Sequence, residues 1–246
     1  MSSETKHKIW IAVAGILALG IIISSAILAS GIKEIKDSGN TISVKGSAKK
    51  QITSALVVWT GSYSSQSENL KDAYGEIKKV GSEVKKYLTD QGIDEKAIVF
   101  SSIETQTNYF LLPNGTYSSN IESYRLTQRV EVKSKEIEKI TEISRNSTDL
   151  ITQGKEIQSY PPQYFYTKLA DLKIDMIGLA TKDAKTRATK ILDNTGNKVG
   201  ALKSANTGIF QITPLYSEEV SDFGISDTSS VEKEITAVVN CEFEVK

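Results

Sequence analysis

The chain has 246 residues, 39% of them hydrophobic and 24% charged, long enough for one or two domains with a sizeable core. Its 30 basic residues balance 30 acidic ones, so no global field selects nucleic acid or an anionic surface. A single cysteine excludes an intrachain disulfide and Cys-based zinc sites, and a single histidine, His7, removes the usual histidine triads and His-rich metal centres.

Residues 1–8 form a short polar tail. From Ile9 to Gly31 no charged residue occurs. As a helix this run spans roughly 35 Å, against a hydrocarbon core of about 30 Å. A cleaved signal peptide competes with this reading, with Ala29 and Gly31 at its small-residue positions. Its apolar region is only about 7–15 residues, shorter than the run observed. An uncleaved transmembrane helix or signal anchor is therefore expected over residues 9–32, followed by a linker over 33–40. Lys6, Lys8 and the terminal amine precede the span, and Lys33 and Lys36 follow it. That leaves a slight bias for a cytoplasmic N-terminus. The tail has nothing to fold, so the expected placement is single-pass, with residues 41–246 extracytoplasmic, in the periplasm or at the cell surface. Gly15 and Gly20 lack the GxxxG spacing of a helix-pairing motif.

Ile42 and Val44 alternate with Ser43 and Lys45 in a first strand, and Ala55, Val57 and Trp59 mark a second. A junction near Lys49–Ile52 would make them an antiparallel pair. Leu70, Ala73, Tyr74, Ile77, Val80, Val84 and Leu88 fall at helical spacing, with Ser67 as cap and Gly92 as stop. Strands follow at Ile98–Thr107 and Tyr124–Lys133. Asn108–Ser123, centred on Pro113-Asn114-Gly115, joins them as an extended hairpin. Ile137, Ile140, Ser144, Ser147 and Ile151 mark a second helix, capped by Ser134 and ending at Gly154. Ile157 opens a short strand that runs into Pro161-Pro162, an edge or a bend because proline cannot donate to a ladder. The longest apolar stripe runs from Leu169 to Leu192 and stops near Gly196. Phe210–Thr213 and Ile235–Val245 are the last strands, the latter with Cys241 in its apolar register. The order β-β-α-β-β-α-β-α-β-β predicts an α+β fold, a largely antiparallel sheet with long helices packed on one face.

This pattern resembles the SIMPL domain family of bacterial envelope proteins. The resemblance covers roughly Thr41 to Val245. It rests on the opening strand Ile42-Ser43-Val44-Lys45-Gly46-Ser47-Ala48 and on Gln163-Tyr164-Phe165-Tyr166-Thr167 leading into a helix. It rests also on Ala180-Thr181-Lys182-Asp183-Ala184-Lys185-Thr186-Arg187-Ala188, followed by Gly196 and Val199-Gly200. It implies an extracytoplasmic envelope setting and an association with stress or signalling, and carries over no catalytic residue. The long anchor departs from the many relatives that look secreted.

No residue pattern here specifies a catalytic, cofactor-binding or metal-binding site, and no small-molecule substrate is identified. Cys241, in an apolar register, reads as a core thiol rather than a redox group. Lys182-Asp183-Ala184-Lys185 reads as a packed helical face with solvated charge. Glu218, Glu219, Asp222 and Asp227 read as a polar loop, lacking the spacing of a calcium loop. Asn114-Gly-Thr116 and Asn146-Ser-Thr148 match glycosylation sequons of the kind that arise by chance. There is neither a phosphate-cradling GxxxxGK nor a nucleophile elbow. The expectation is a structural or interaction module, membrane-anchored and homo-oligomeric. The alternative is a hydrolase or transferase built from carboxylate, Ser or Lys groups alone. The candidate oligomer contact is Tyr109, Phe110, Leu111 and Leu112, because a strand sends neighbours to opposite faces and at least two of the four must face outward.

Overall fold

The computed structural model of the chain describes residues 40–147 and 156–246, together with Gly15, Leu17, Ala18 and residues 20–25 near the N-terminus. Strand β1 (Thr41–Thr53) and strand β2 (Leu56–Ser67) are both longer than expected, and they do not pair with each other. Lys49–Ile52 continues the strand instead of turning. Between Lys49 and Ala55 there is no Gly, Pro, Asn or Asp to supply tight-turn geometry. The break falls at Ser54-Ala55, whose amides donate to the carbonyls of Val231 (2.8 Å) and Phe165 (2.9 Å). The chain thus leaves one sheet and enters another, and the single sheet expected from the sequence becomes two.

Helix α1 (Leu70–Asp90) buries Ala73, Ile77, Val80, Val84 and Leu88, while Leu70 and Tyr74 at its start stay exposed. Its cap is Asn69, whose side chain accepts from the Lys71 amide at 2.8 Å, not Ser67. The strand expected over 98–107 is divided into β3 (Ile98–Phe100) and β4 (Glu104–Leu111), and β5 (Tyr117–Ser134) returns antiparallel to both. Helix α2 (Ile137–Asn146) buries Ile140, Ile143 and Ser144. Ile151 and Gly154, expected in its last turn and at its end, lie outside the described residues. Strands β6 (Ile157–Ser159) and β7 (Gln163–Phe165), one on each side of the Pro161-Pro162 step, pair successively along β2. Helix α3 (Leu169–Asp193) has the expected span. β8 (Val199–Thr207) has almost no buried side chain, so no apolar alternation marks it in the sequence. β9 (Gln211–Pro214), β10 (Ile225–Ser226) and β11 (Glu232–Val245) complete the order.

The chain divides into two compact units. The first holds the described residues up to Ala48, with Asp175–Gly208 and Ala237–Lys246. In it β11 pairs antiparallel with β8, from Val239 opposite Thr207 to Val245 opposite Val199. The Thr41 hydroxyl of β1 donates to Glu242 Oε1 at 2.6 Å. Val239, Cys241 and Phe243 are buried, as are Met176, Ala180, Ala184 and Ala188 of α3. Gly46 is required for space: a Cβ built there would lie 2.1 Å from the Ala180 carbonyl oxygen and 2.4 Å from the Ala184 nitrogen. The strand backbone therefore rests on the small-residue stripe of the helix.

The second unit holds Lys49–Ile174 and Ile209–Thr236. Its six-stranded antiparallel sheet runs β3-β5-β2-β6, with β4 pairing to β5 and β7 to β2. Trp59, Tyr63, Leu126, Val130 and Val132 from the sheet pack with Ile77, Val84 and Leu88 of α1 and with Ile140 of α2. The polar tips of the aromatic residues are satisfied, as buried polar groups require. Trp59 Nε1 donates to Ser159 Oγ at 2.9 Å, and the Tyr63 hydroxyl donates to Gln128 Oε1 at 2.6 Å. Burial pushes the Tyr63 phenol up to about 12. In the same unit β9 pairs antiparallel with the start of β11 and parallel with β10.

The expected membrane span over residues 9–32 falls mostly outside the described residues. Those that are described there are helical and exposed. Among the described residues no helix is long and apolar enough to cross a membrane.

Candidate functional site

Along β5, Tyr124–Ser134 pairs with β2, while the residues before Tyr124 pair only with β4. The outer part of the β4–β5 hairpin is thus a two-stranded arm extending past the sheet. Its turn follows the sequence expectation. The Leu112 amide donates to the Thr116 carbonyl at 2.8 Å, and Gly115 adopts φ +81°, the left-handed region that glycine enters freely. Asn114 Oδ1 accepts from the Thr116 amide and hydroxyl, so this sequon asparagine braces the turn.

Register shifts fall between Asn108 and Tyr109 and between Tyr109 and Leu111. Such bulges interrupt the strict in–out alternation of a strand. Because nothing among the described residues covers either face of the arm, Tyr109, Phe110, Leu111 and Leu112 are all exposed, Leu111 most at 64%. The register adds two residues that the sequence reading missed. Ile121 lies opposite Tyr109 and Tyr117 opposite Leu111, and both are exposed. They are separated in sequence by Ser118-Ser119-Asn120, so no apolar run signals them. Each such side chain forgoes about 1.5–3 kcal/mol of burial. β4 pairs on one side only among the described residues, leaving backbone donors and acceptors along its outer edge.

Lys233 is the second feature, and the sequence reading passed over it. It sits in the inward register of β11, two residues before Ile235, at 2% exposure. A lysine in an otherwise apolar register is the signal that would have located it. Its ammonium donates to the Tyr164 carbonyl at 2.7 Å and to the Asp227 carbonyl, with the Asp227 carboxylate 3.9 Å away. Burial pushes the Lys233 amine down, and the Asp227 charge opposes this. Burial pushes the Asp227 carboxyl up, but donors from Ser229 and Ser230 and the Lys233 ammonium outweigh it and hold the group below its ordinary value. Asp227 is therefore an ordered anchor with a largely buried side chain, a correction to its reading as part of a disordered polar loop. Its former companions Glu218, Glu219 and Asp222 are exposed, beside exposed Tyr216, Val220 and Phe223. Among the described residues no three His, Cys, Asp or Glu side chains are grouped to hold a metal ion.

Asp183 is likewise more than solvated charge. Its Oδ2 accepts the Ser47 amide at 2.8 Å and Arg187 Nε at 2.7 Å, tying α3 to β1. The Ser47 donor is the main cause of a carboxyl held below its ordinary value. Cys241 is fully buried, and burial pushes its thiol up, away from the reactive thiolate.

The family described as SIMPL, protein of unknown function (DUF541), matches residues 42–243. The chain belongs to the SIMPL family. No match to a curated protein was found. The match spans β1 to β11, so both compact units are SIMPL sequence, and the arm, the Lys233 anchor and the Gly46 contact all lie inside it.

Proposed function

We propose that this SIMPL protein is a membrane-anchored, extracytoplasmic structural or interaction module that assembles with copies of itself through the β4–β5 arm, in an envelope setting linked to stress. The arm carries the reading. Two strands alone are marginally stable in water, yet this ribbon presents six large apolar side chains to solvent. A second copy supplies the same apolar surface and an equally open edge strand, and symmetric self-contacts are the commonest solution for oligomers. The uncharged run from Ile9 to Gly31 supports the anchor, and tethering to a surface raises the local concentration of arms.

The test is the mass of the detergent-extracted full chain by light scattering. The parent is expected as an oligomer carrying its N-terminal segment, and Phe110→Ser with Leu112→Ser lowers that mass without changing the thermal transition. A monomeric parent overturns assembly, and an unchanged mass with cross-links mapping to Tyr216–Phe223 overturns the arm as its contact. A mature chain beginning near Ser30 or Ile32 overturns the anchor. The hydrolase or transferase reading would look to Lys233, whose amine is pushed down by burial. That ammonium is engaged by two main-chain carbonyls, which favours a role in holding the loop.

A further inference from the structure

A cavity of about 640 Å³ lies in the second unit over β2, β5 and β6, within the roughly 300–1,000 Å³ typical of small-ligand sites. Cross-strand register builds its wall. Gln158, Ser62 and Arg129 lie opposite one another in one row, and Ser64 and Thr127 form the next. Opposed residues share a face of the sheet, and this row alternates with core-facing Gly61 and Tyr63. Tyr160 completes the lining, its hydroxyl 3.5 Å from Ser62 Oγ.

The charges here are not equivalent. Arg125 is neutralised: its Nη2 lies 3.0 Å from Glu156 Oε2, which also accepts from Ser64 Oγ at 2.7 Å. The Arg129 guanidinium has no hydrogen-bond or ion-pair partner among the described residues, though Arg129 lines the same cavity. Among the described residues the cavity therefore offers one uncommitted cation, with a planar fork suited to a carboxylate. Around it stand Ser62, Thr127, Tyr160 and Gln158, groups that both donate and accept and so match alcohols better than a second anionic charge. The Tyr160 ring, partly exposed, adds an apolar face.

We infer that this cavity binds an acidic saccharide, with its carboxylate on Arg129, its hydroxyls on the Ser62–Thr127–Gln158 wall and one face of its ring against Tyr160. A fully charged phosphate would favour two free cations, and Arg125 is already committed to Glu156. The probe is sodium glucuronate, titrated into the full-length chain in a detergent without a sugar headgroup and followed by calorimetry. Glucose, acetate and inorganic phosphate are the comparison ligands. Saturable glucuronate binding is expected, at least about tenfold tighter than glucose or acetate. Arg129→Gln loses it about tenfold or more, and Tyr160→Phe weakens it less. Lys133→Gln, which removes a like charge from the same strand outside the cavity, leaves it unchanged. No saturation up to about 10 mM glucuronate overturns the proposal. So does phosphate binding as tightly as glucuronate, or glucuronate binding that survives Arg129→Gln.

Discussion

Lys233 shows how one buried charge is held. Its carbon stem fills an inward position of β11, and its ammonium reaches two carbonyls that would otherwise lack that donor. One of them, at Asp227, closes the segment after β10, and the other, at Tyr164, belongs to β7. Replacing it with methionine keeps much of the volume but strands both acceptors and leaves the Asp227 carboxylate without its nearest cation. Lys233→Met is expected to cost about 3 kcal/mol, the usual penalty for breaking a buried pair from one side. A shift of the urea midpoint at constant slope measures it, and a change under about 0.5 kcal/mol would refute the anchoring role. The neighbouring acids had looked alike in sequence. Asp227 differs from Glu218, Glu219 and Asp222 because Ser229 and Ser230 follow it and fold back as donors.

At the scale of elements, the contact between β1 and α3 depends on a missing side chain. Ala180, Ala184 and Ala188 recur every four residues on one helical face, and all three are fully buried. Gly46 lets the strand backbone approach that face, and Asp183 binds the next amide, at Ser47. The obstructing atoms at Gly46 are mainly helix backbone, which has little freedom to move aside. Gly46→Ala is therefore expected to destabilise by about 3 kcal/mol or more, at the upper end for overpacking. Adding Ala184→Gly should not restore stability, because the Ala180 carbonyl remains in the way. A thermal transition within a degree or two of the parent's would show that the contact yields. The glycine and the alanine stripe were each readable as motif. Their meeting was not, because Gly46 and Ala180 are 134 positions apart and nothing local pairs them.

For the whole molecule, three carboxylates held below their ordinary values are expected to contribute to the acid dependence of stability. Asp183 is held chiefly by the Ser47 amide, Glu242 by the Thr41 and Ser204 hydroxyls, and Asp227 by donors that outweigh its burial. Each folded value lies below the unfolded one, so the contribution is fully present above about pH 5 and is lost as pH falls through the folded values. Lys233 acts in a different window: its depressed amine leaves the unfolded chain binding more protons only at alkaline pH, so it adds no acid sensitivity. Unfolding free energy should decline below about pH 5, and Asp183→Asn should flatten that decline. An equally steep decline in the variant would assign the acid limit to other groups. The sequence alone determined the α+β class, the spans of α1 and α3, the Pro113-Asn114-Gly115 hairpin, the inward register of β11 and the family. These rest on periodicity, turn chemistry and motif order, all written within tens of residues. Only the tertiary structure decided that β1 and β2 join different sheets, that four adjacent apolar residues lie on an arm with both faces in solvent, and that Tyr117 and Ile121 join them. It alone separated Arg129, unpaired among the described residues, from Arg125, bound to Glu156. Partner choice across strands is a property of register and long-range contact, and a residue's neighbours in the chain do not encode which distant strand will lie beside it.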